Sequence, residues 1–147
     1  MNQQVKYIAG GLAVDDRGHI QFCNDFDMTA IKRFYIVSNH TAPFIRAWHG
    51  HKKENKFVMV ISGAAIFGAV KIDDWENPDH NAKVERFVLS AEKPGLLYIP
   101  AGYAHGYKTL VKDAKIMFFS TSTLKESSGD DFRFDYDFWN PWDVVPR

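Results

Sequence analysis

Three histidines and one lysine are the side chains of this 147-residue chain whose types and spacing predict chemistry. His49 and His51 are two residues apart, so on a strand their side chains point to the same face. His105 follows a Pro-Ala-Gly turn at 100–102 that would deliver it to a site. A neutral imidazole is a base near neutral pH, and a fixed ammonium such as Lys56 stabilises a developing oxyanion. These groups together suit removal of a proton next to a ketone.

The same histidines resemble the two-part motif of the cupins, in which H-x-H precedes a hairpin glycine and P-x-G-x-x-H follows. In metal-binding cupins, six residues separate a glutamate ligand from that glycine. Gly63 sets the register here, and Lys56 stands at the glutamate position, with Glu54 off the spacing. Because an ammonium repels a divalent cation and offers no lone pair, we expect no metal and no cofactor. The alternative is a metal held by the three imidazoles alone.

Four segments resemble the dTDP-4-dehydrorhamnose 3,5-epimerase family of sugar-nucleotide cupins, over about Asp16 to Thr121. The segments are D-R-G-H-I at 16–20, I-R-A-W-H at 45–49, N-K-F-V at 55–58 and, the most specific, I-P-A-G-Y-A-H-G-Y at 99–107. Residues 31–35 and 46–53 also resemble the related 3,4-ketoisomerases, whose segment is R-G-x-H-A-H-K. The chain is intermediate between the two branches.

The resemblance implies an isomerase that removes a proton beside the ketone of a nucleotide-linked 4-keto-6-deoxyhexose, in deoxysugar and cell-surface polysaccharide biosynthesis. It implies His49 as the base, with Lys56 and His105 supporting the oxyanion or the substrate. The predicted substrate-binding residues are Arg17, Arg33, Arg46, Trp48, His51, Tyr103 and Phe118. Arginine forks suit a pyrophosphate, and Trp48 or Tyr35 could stack on the base or sugar. A core position for Trp48 is an equal alternative.

One position departs from the epimerases, in which a tyrosine thirteen residues after the second-motif histidine supplies a proton. That position holds Phe118 here. Three functions therefore stay open: a 3,5- or 3-epimerase with another donor, a 3,4-ketoisomerase that moves a proton on one face, and a non-catalytic cupin that binds a sugar nucleotide. The candidate replacement donors are Tyr98, Tyr103, Tyr107 and Tyr136. The candidate carboxylate partners of the base are Asp135, Asp137 and Asp143.

Short strands are the elements that must position these residues. The predicted strands are 31–37, 57–61, 64–72, 83–89, 96–99 and 115–120, with a hairpin turn at 62–63 between the second and the third. No window has a clean helical period, so we predict an all-β, RmlC-like cupin jelly-roll barrel in one domain over 1–147. The aromatic run 132–145 is predicted to pack on the barrel or on a second subunit. The resemblance and the need to cover edge strands predict a homodimer.

The composition argues against two classes of partner, nucleic acids and membranes. The chain has 18 Lys+Arg and 18 Asp+Glu residues. It therefore lacks the excess of positive charge that is typical of nucleic-acid binding and of polybasic membrane attachment. With Cys23 as the single cysteine, no intrachain disulfide can form. No signal-peptide pattern and no apolar run of about 18 residues occurs, so the sequence predicts a cytoplasmic protein. The expected partner is a nucleotide sugar, dTDP-linked by the resemblance.

Overall fold

Two five-stranded antiparallel sheets enclose an apolar interior in the computed structural model, which describes residues 3–147. The strands are β1 Lys6–Ala9, β2 Gly11–Asp15, β3 Gly18–Phe22, β4 Arg33–Ser38, β5 Phe44–His51, β6 Lys56–Ser62, β7 Ala64–Lys71, β8 Val84–Ser90, β9 Gly95–Ile99, β10 Tyr103–Thr109, β11 Lys115–Ser120 and β12 Phe132–Arg133, with one short helix, α1 Leu124–Ser128. Sheet I has the order β1-β9-β6-β11-β4, and sheet II has the order β12-β5-β10-β7-β8. The predicted all-β class is confirmed.

The interior is built from the alternate residues of both sheets. Val58 and Phe118 of sheet I and Phe67 and Tyr107 of sheet II belong to one buried cluster. On a pleated strand every second side chain faces the same way, so each strand contributes one face to this core. The core therefore sets the distance between the two sheets and between the polar residues that follow it along the strands.

The predicted hairpin at 62–63 is wrong. Gly63 does turn the chain, with a φ of +74° that favours glycine, but β6 and β7 do not pair. Strand β6 pairs with β9 and β11, whereas β7 pairs with β8 and β10. The turn carries the chain from one sheet to the other, and a turn signal in the sequence cannot distinguish these two outcomes.

The aromatic arm after α1 packs on its own barrel. Strand β12 pairs with β5, and Trp139 and Trp142 lie against the buried Trp48 at ring-centroid distances of 5.4 and 5.0 Å. This confirms the first of the two predicted placements. The arm thereby lays residues 130–133 along the strand that carries His49 and His51.

Several elements are absent from the six predicted strands: β1, β5, β10 and β12 in the two large sheets, and two further features. A helix of five residues, α1, follows the barrel, and a capping box between Thr123 and Glu126 begins it. Strands β2 and β3 form a hairpin that is a separate two-stranded sheet. Among residues 3–147, no helix is long and apolar enough to span a membrane.

Candidate active site

Three histidines of sheet II lie side by side on its inner face. His49 and His51 of β5 are paired in register with His105 and Tyr103 of β10. The ring of His105 lies 6.2 Å from that of His49 and 5.6 Å from that of His51, between centroids. The H-x-H spacing and the P-x-G-x-x-H segment therefore meet, as the sequence predicts.

Burial keeps two of these imidazoles neutral. His105 is 4% exposed, and its Nδ1 has no hydrogen-bond partner in the structure. Burial, with the nearby charges of His51, His49 and Lys56, holds the pKa of His105 well below its ordinary value. Burial also lowers the pKa of His49, followed by the positive charge of Arg133. A neutral imidazole can accept a proton, which a general base must do.

The tautomer of His51 follows from its partners. Its Nδ1 lies 2.6 Å from the carbonyl oxygen of Asp130 and 3.4 Å from Oε2 of Glu54. Both oxygens accept hydrogen bonds, so Nδ1 carries the proton and Nε2 is the nitrogen left free to accept one. The arm thus fixes one histidine of the cluster.

Lys56, Tyr35 and Phe118 come from sheet I and lie across the interior from the histidines. The ammonium of Lys56 lies 2.9 Å from the Tyr35 hydroxyl, and the side chain is 3% exposed. The rings of Tyr35 and Phe118 stack at 5.1 Å, and Phe118 lies 6.1 Å from the ring of His105. The site therefore has imidazoles on one wall and an ammonium with a phenol on the other.

Glu54 is the acidic residue of the site. It lies between β5 and β6, is 1% exposed, and its Oε1 is 2.7 Å from the Lys56 ammonium. Burial by itself raises the pKa of Glu54, but hydrogen bonds from Lys56 and Ser120 bring it below its ordinary value. The carboxylate is therefore ionised beside the Lys56 ammonium.

The remaining predicted binding residues divide into two groups. Arg33 and Phe118 of sheet I, with Arg46 and Tyr103 of sheet II, point into the interior that the histidines face. Arg46 does so because the pairing of β5 with β10 shifts between His105 and Tyr107, which sets Arg46 opposite Tyr107. Arg33 is held by Glu54, by Ser127 and by the carbonyl of Ser122.

Two of the predicted binding residues lie away from the histidines. The predicted role of Trp48 is wrong, whereas that of Arg17 stays a prediction. Trp48 is fully buried under the aromatic arm, where its indole N–H donates to the carbonyls of Tyr136 and Trp139, so it does not contact substrate. Arg17 lies in the exposed β2–β3 hairpin and pairs with Asp15 at 2.6 Å, apart from the histidines of its own chain. The structure thus supports the alternative core position of Trp48.

The three aspartates that the sequence offers as carboxylate partners of His49 also lie away from it. Asp135, Asp137 and Asp143 are exposed on the arm, and none has a hydrogen bond to His49 among the described residues. The acidic charge that bears on His49 is that of Asp131, which raises its pKa against the larger effects of burial and Arg133. Asp131 is itself paired with Arg133 at 3.1 Å.

One trio has the composition of a metal site. Single ligand atoms of His51, Glu54 and Asp130 lie within 4.8 Å of one another. The Asp130 carboxylate, however, accepts backbone N–H groups of residues 52, 53 and 54, at 2.7 to 3.0 Å. The Glu54 carboxylate faces the ammonium of Lys56 and the guanidinium of Arg33. A divalent cation would have to displace these donors and lie beside two positive charges, so the trio does not fit one.

Comparison with known proteins gives the family. The sequence matches the family of dTDP-4-dehydrorhamnose 3,5-epimerase over residues 6–141. The chain belongs to this family. The spore coat polysaccharide biosynthesis protein SpsL of Bacillus subtilis (strain 168) is 29% identical over 132 residues, which are 88% of this chain and 82% of SpsL.

Solved structures extend the likeness to both branches. The dTDP-4-dehydrorhamnose 3,5-epimerase of Bacillus anthracis str. Ames, with TDP and PPi bound, has a TM-score of 0.76 at 22% identity, covering 97% of this chain and 86% of that one. The sugar 3,4-ketoisomerase QdtA of Thermoanaerobacterium thermosaccharolyticum, in complex with TDP, has a TM-score of 0.67 at 22% identity, covering 94% and 93%. These findings confirm the RmlC-like cupin fold, and the family confirms the isomerase class.

Sequence reasoning missed two residues of this site. The sequence predicts that Tyr35 stacks on a ligand and gives no sign of its hydroxyl contact with Lys56. Glu54 is off the spacing of the cupin motif, so the motif does not indicate it. A signal did exist in the sequence, since Glu54 lies three residues after His51 and two before Lys56, the only carboxylate between the two motif positions.

Proposed function

We propose that this protein is a sugar-nucleotide epimerase that removes the proton at C3, next to the C4 ketone, of a dTDP-linked 4-keto-6-deoxyhexose. The observation that carries the proposal is the buried ammonium of Lys56, with the Tyr35 phenol on one side and the histidines across the interior. Such an ammonium lies where it can stabilise an enolate, and a water-poor interior strengthens that interaction.

The reaction has two proton transfers. The His49 imidazole takes the proton from C3, and the electron pair of that C–H bond moves into the C3–C4 bond while the ketone oxygen becomes an enolate oxygen. Lys56 donates a hydrogen bond to this oxygen, with His105 beside it. Return of a proton to C3 from the opposite face inverts the carbon and restores the ketone. His49 and Tyr35 belong to different sheets, so they approach a sugar ring from different sides.

Tyr35 is the proposed donor of the second proton. It lies on β4, directly paired with Phe118, the position that holds a tyrosine in the epimerases. Of the tyrosines considered from the sequence, Tyr98 is on the outer face of sheet I and Tyr136 is exposed on the arm. Tyr103 and Tyr107 share the histidine strand, so they are on the same wall as the base.

A 3,4-ketoisomerase is the second candidate, and Phe118 is the observation that favours it. Phe118 is buried and has no exchangeable proton. A ketoisomerase moves protons on one face of the sugar ring only, so it does not need a proton donor at this position. After the same first step, the enolate oxygen on C4 would take up a proton and the C3 hydroxyl would give one up. Delivery of a proton to C4 instead of C3 then leaves a hydroxyl at C4 and the ketone at C3. The free Nε2 of His51 could carry such a proton on the histidine side.

Incubation with dTDP-4-keto-6-deoxyglucose in D2O distinguishes these reactions, with deuterium read at C3, C4 and C5 by NMR. An epimerase places deuterium at C3, or at C3 and C5, with inversion. A ketoisomerase gives a 3-keto product. A protein that binds the nucleotide without any exchange is the non-catalytic cupin, and this result would reject both enzymatic proposals.

The proposed assembly is a homodimer formed through the outer face of sheet I. Phe34 and Ile36 on the edge strand β4 are 62% and 51% exposed. Ile36 continues a row with the half-buried Met117 and Met59, and Phe34 lies two residues along the same outer face. A monomer rarely exposes an apolar strip of this kind, and a second copy would cover it together with the free edge.

Light scattering tests the assembly. The wild type should have twice the mass of the 16.9 kDa chain, and Phe34→Lys should be monomeric because a charge would be buried at the contact. Val88→Lys, at another exposed apolar position on sheet II, is the matched control and should stay dimeric. A monomeric wild type at micromolar concentration would reject the dimer.

A further inference from the structure

Glu54 contacts five side chains, although it has no part in the proton transfers just described. Its Oε1 accepts from Lys56 at 2.7 Å and from the Ser120 hydroxyl, and it lies 3.4 Å from Arg33. Its Oε2 accepts from Ser127 of α1 at 2.8 Å and faces His51 Nδ1 at 3.4 Å. One buried carboxylate therefore joins both sheets and the helix that follows them.

Three of these partners form one row across sheet I. Ser120 of β11 is paired in register with Arg33 of β4 on one side and with Lys56 of β6 on the other. All three face inward toward Oε1 of Glu54. The next inward row holds Tyr35, Phe118 and Val58, so the carboxylate lies one row from the phenol.

The geometry of Lys56 shows what this carboxylate can do. An ammonium has three N–H donors on a flexible four-carbon stem, and burial in one rotamer costs conformational entropy. One donor goes to Glu54 and one to the Tyr35 hydroxyl. With two donors committed, the direction of the third is fixed, and that donor is available to a substrate oxygen.

We propose that Glu54 is a positioning residue that aims the Lys56 ammonium at the substrate oxygen. This inference rests on the proposed role of Lys56 as the group that stabilises the enolate. Glu54 does not touch the substrate, and its carboxylate acts by holding the ammonium in place while Ser120, Ser127 and Arg33 hold the carboxylate.

Glu54→Gln is the main test, because it keeps the shape of the side chain and removes its charge. With the ammonium less well aimed, kcat should fall by roughly 10- to 100-fold while KM stays within about twofold, since misplacement of a reacting group lowers turnover. Glu126→Gln, the same change in an exposed ion pair with Lys32, is the matched control and should keep wild-type values.

A double-mutant cycle separates positioning from a purely structural effect. Lys56→Met should lower kcat by on the order of 10²–10³, and adding Glu54→Gln to it should lower kcat no further, because the group that Glu54 positions is gone. Equal and additive losses would overturn the inference. So would a Glu54→Gln variant with wild-type kcat, or one that raises KM alone.

The same cycle distinguishes failure of this inference from failure of the proposed function. Wild-type turnover in Lys56→Met would reject the role of Lys56 and the inference with it, whereas an impaired Lys56→Met beside a fully active Glu54→Gln would reject the inference alone. If Glu54→Gln does not fold, Glu54→Asp serves in its place. It keeps the charge but is one methylene shorter, so kcat should fall with KM unchanged, and a wild-type kcat would overturn the proposal.

Discussion

The hydroxyl of Tyr35 lies 2.9 Å from the ammonium of Lys56, and the two side chains come from the strands on either side of β11. Phe118, on the intervening strand β11, stacks on the ring of Tyr35. A phenol is therefore present in the site, one strand away from the position where the sequence resemblance expects it. This relationship decides how the chain could complete a reaction that needs a proton donor opposite its histidines.

Tyr35→Phe should remove the inverted product while leaving nucleotide binding intact. The change deletes only the hydroxyl and keeps the ring on Phe118, and loss of a general acid typically costs on the order of 10²–10⁴ in rate. Exchange of the C3 proton by His49 should continue at a reduced rate, because the phenol carries no proton in the first step but does hold one donor of the Lys56 ammonium. Tyr136→Phe, at an exposed position on the arm, is the control. Unchanged inversion in Tyr35→Phe would show that the donor is another group.

Phe118→Tyr should restore inversion in the Tyr35→Phe background. The two rings are adjacent and stacked, so a hydroxyl on Phe118 would enter the same wall of the site beside His105. We expect recovery of part of the lost epimerised product, measured by NMR of the product mixture. If the double variant is as inactive as Tyr35→Phe, then position 118 does not face the sugar.

His49→Ala should abolish C3 exchange with little change in nucleotide affinity, and His40→Ala, at an exposed position, should have no effect. In the wild type, activity should fall on the acid side only below the ordinary histidine pKa, because burial and Arg133 lower the pKa of His49 and only the neutral ring is a base. Arg133→Gln should move this acid limb to higher pH. A limb that does not move would assign it to a different group.

Much of the site follows from local spacing, because the histidines sit on paired strands whose register agrees with the H-x-H pattern. The sequence leaves two positions open for Trp48, and the arm that decides between them by burying it is about 90 residues later in the chain. Glu54 could not be found from a motif either. Its partners Ser120 and Ser127 are 66 and 73 residues away, and only the folded sheet brings them to one carboxylate.

The sequence predicts the strands but not how they pair, because its patterns are local. Six strands were placed within about two residues of their positions, since alternation of apolar and polar residues is local. The partner of each strand is not local, and the turn at Gly63 fits a hairpin as well as a crossing between sheets. The capping box at Thr123 is a local signal for α1, but a helix of five residues is too short to leave a helical period in the sequence.

Chelation should leave both turnover and the melting temperature unchanged. The carboxylates of Glu54 and Asp130 are already bonded to protein donors, and Lys56 lies 2.7 Å from the first of them. Activity after EDTA treatment and gel filtration, compared with addition of zinc, iron or manganese, checks this. If EDTA abolishes turnover and one metal restores it, the prediction is wrong, and the result would support a metal held by the three imidazoles.

The last prediction concerns stability and pH. His105 is buried and neutral in the folded chain, with a pKa well below 6.5, whereas in the unfolded chain it takes up a proton near 6.5. Below that pH the unfolded state binds more protons than the folded state, so the free energy of unfolding should decrease as the pH falls from 7 toward 5. Glu54, whose pKa is also lowered, adds to the loss only below about 4.5. Denaturant titrations of the wild type should show this decrease. His105→Gln should make it shallower between pH 7 and 5 without removing it, because the pKa of His49 is also lowered, whereas His19→Gln in the exposed hairpin should leave it unchanged. An equally steep dependence in His105→Gln would mean that a different group carries the acid sensitivity.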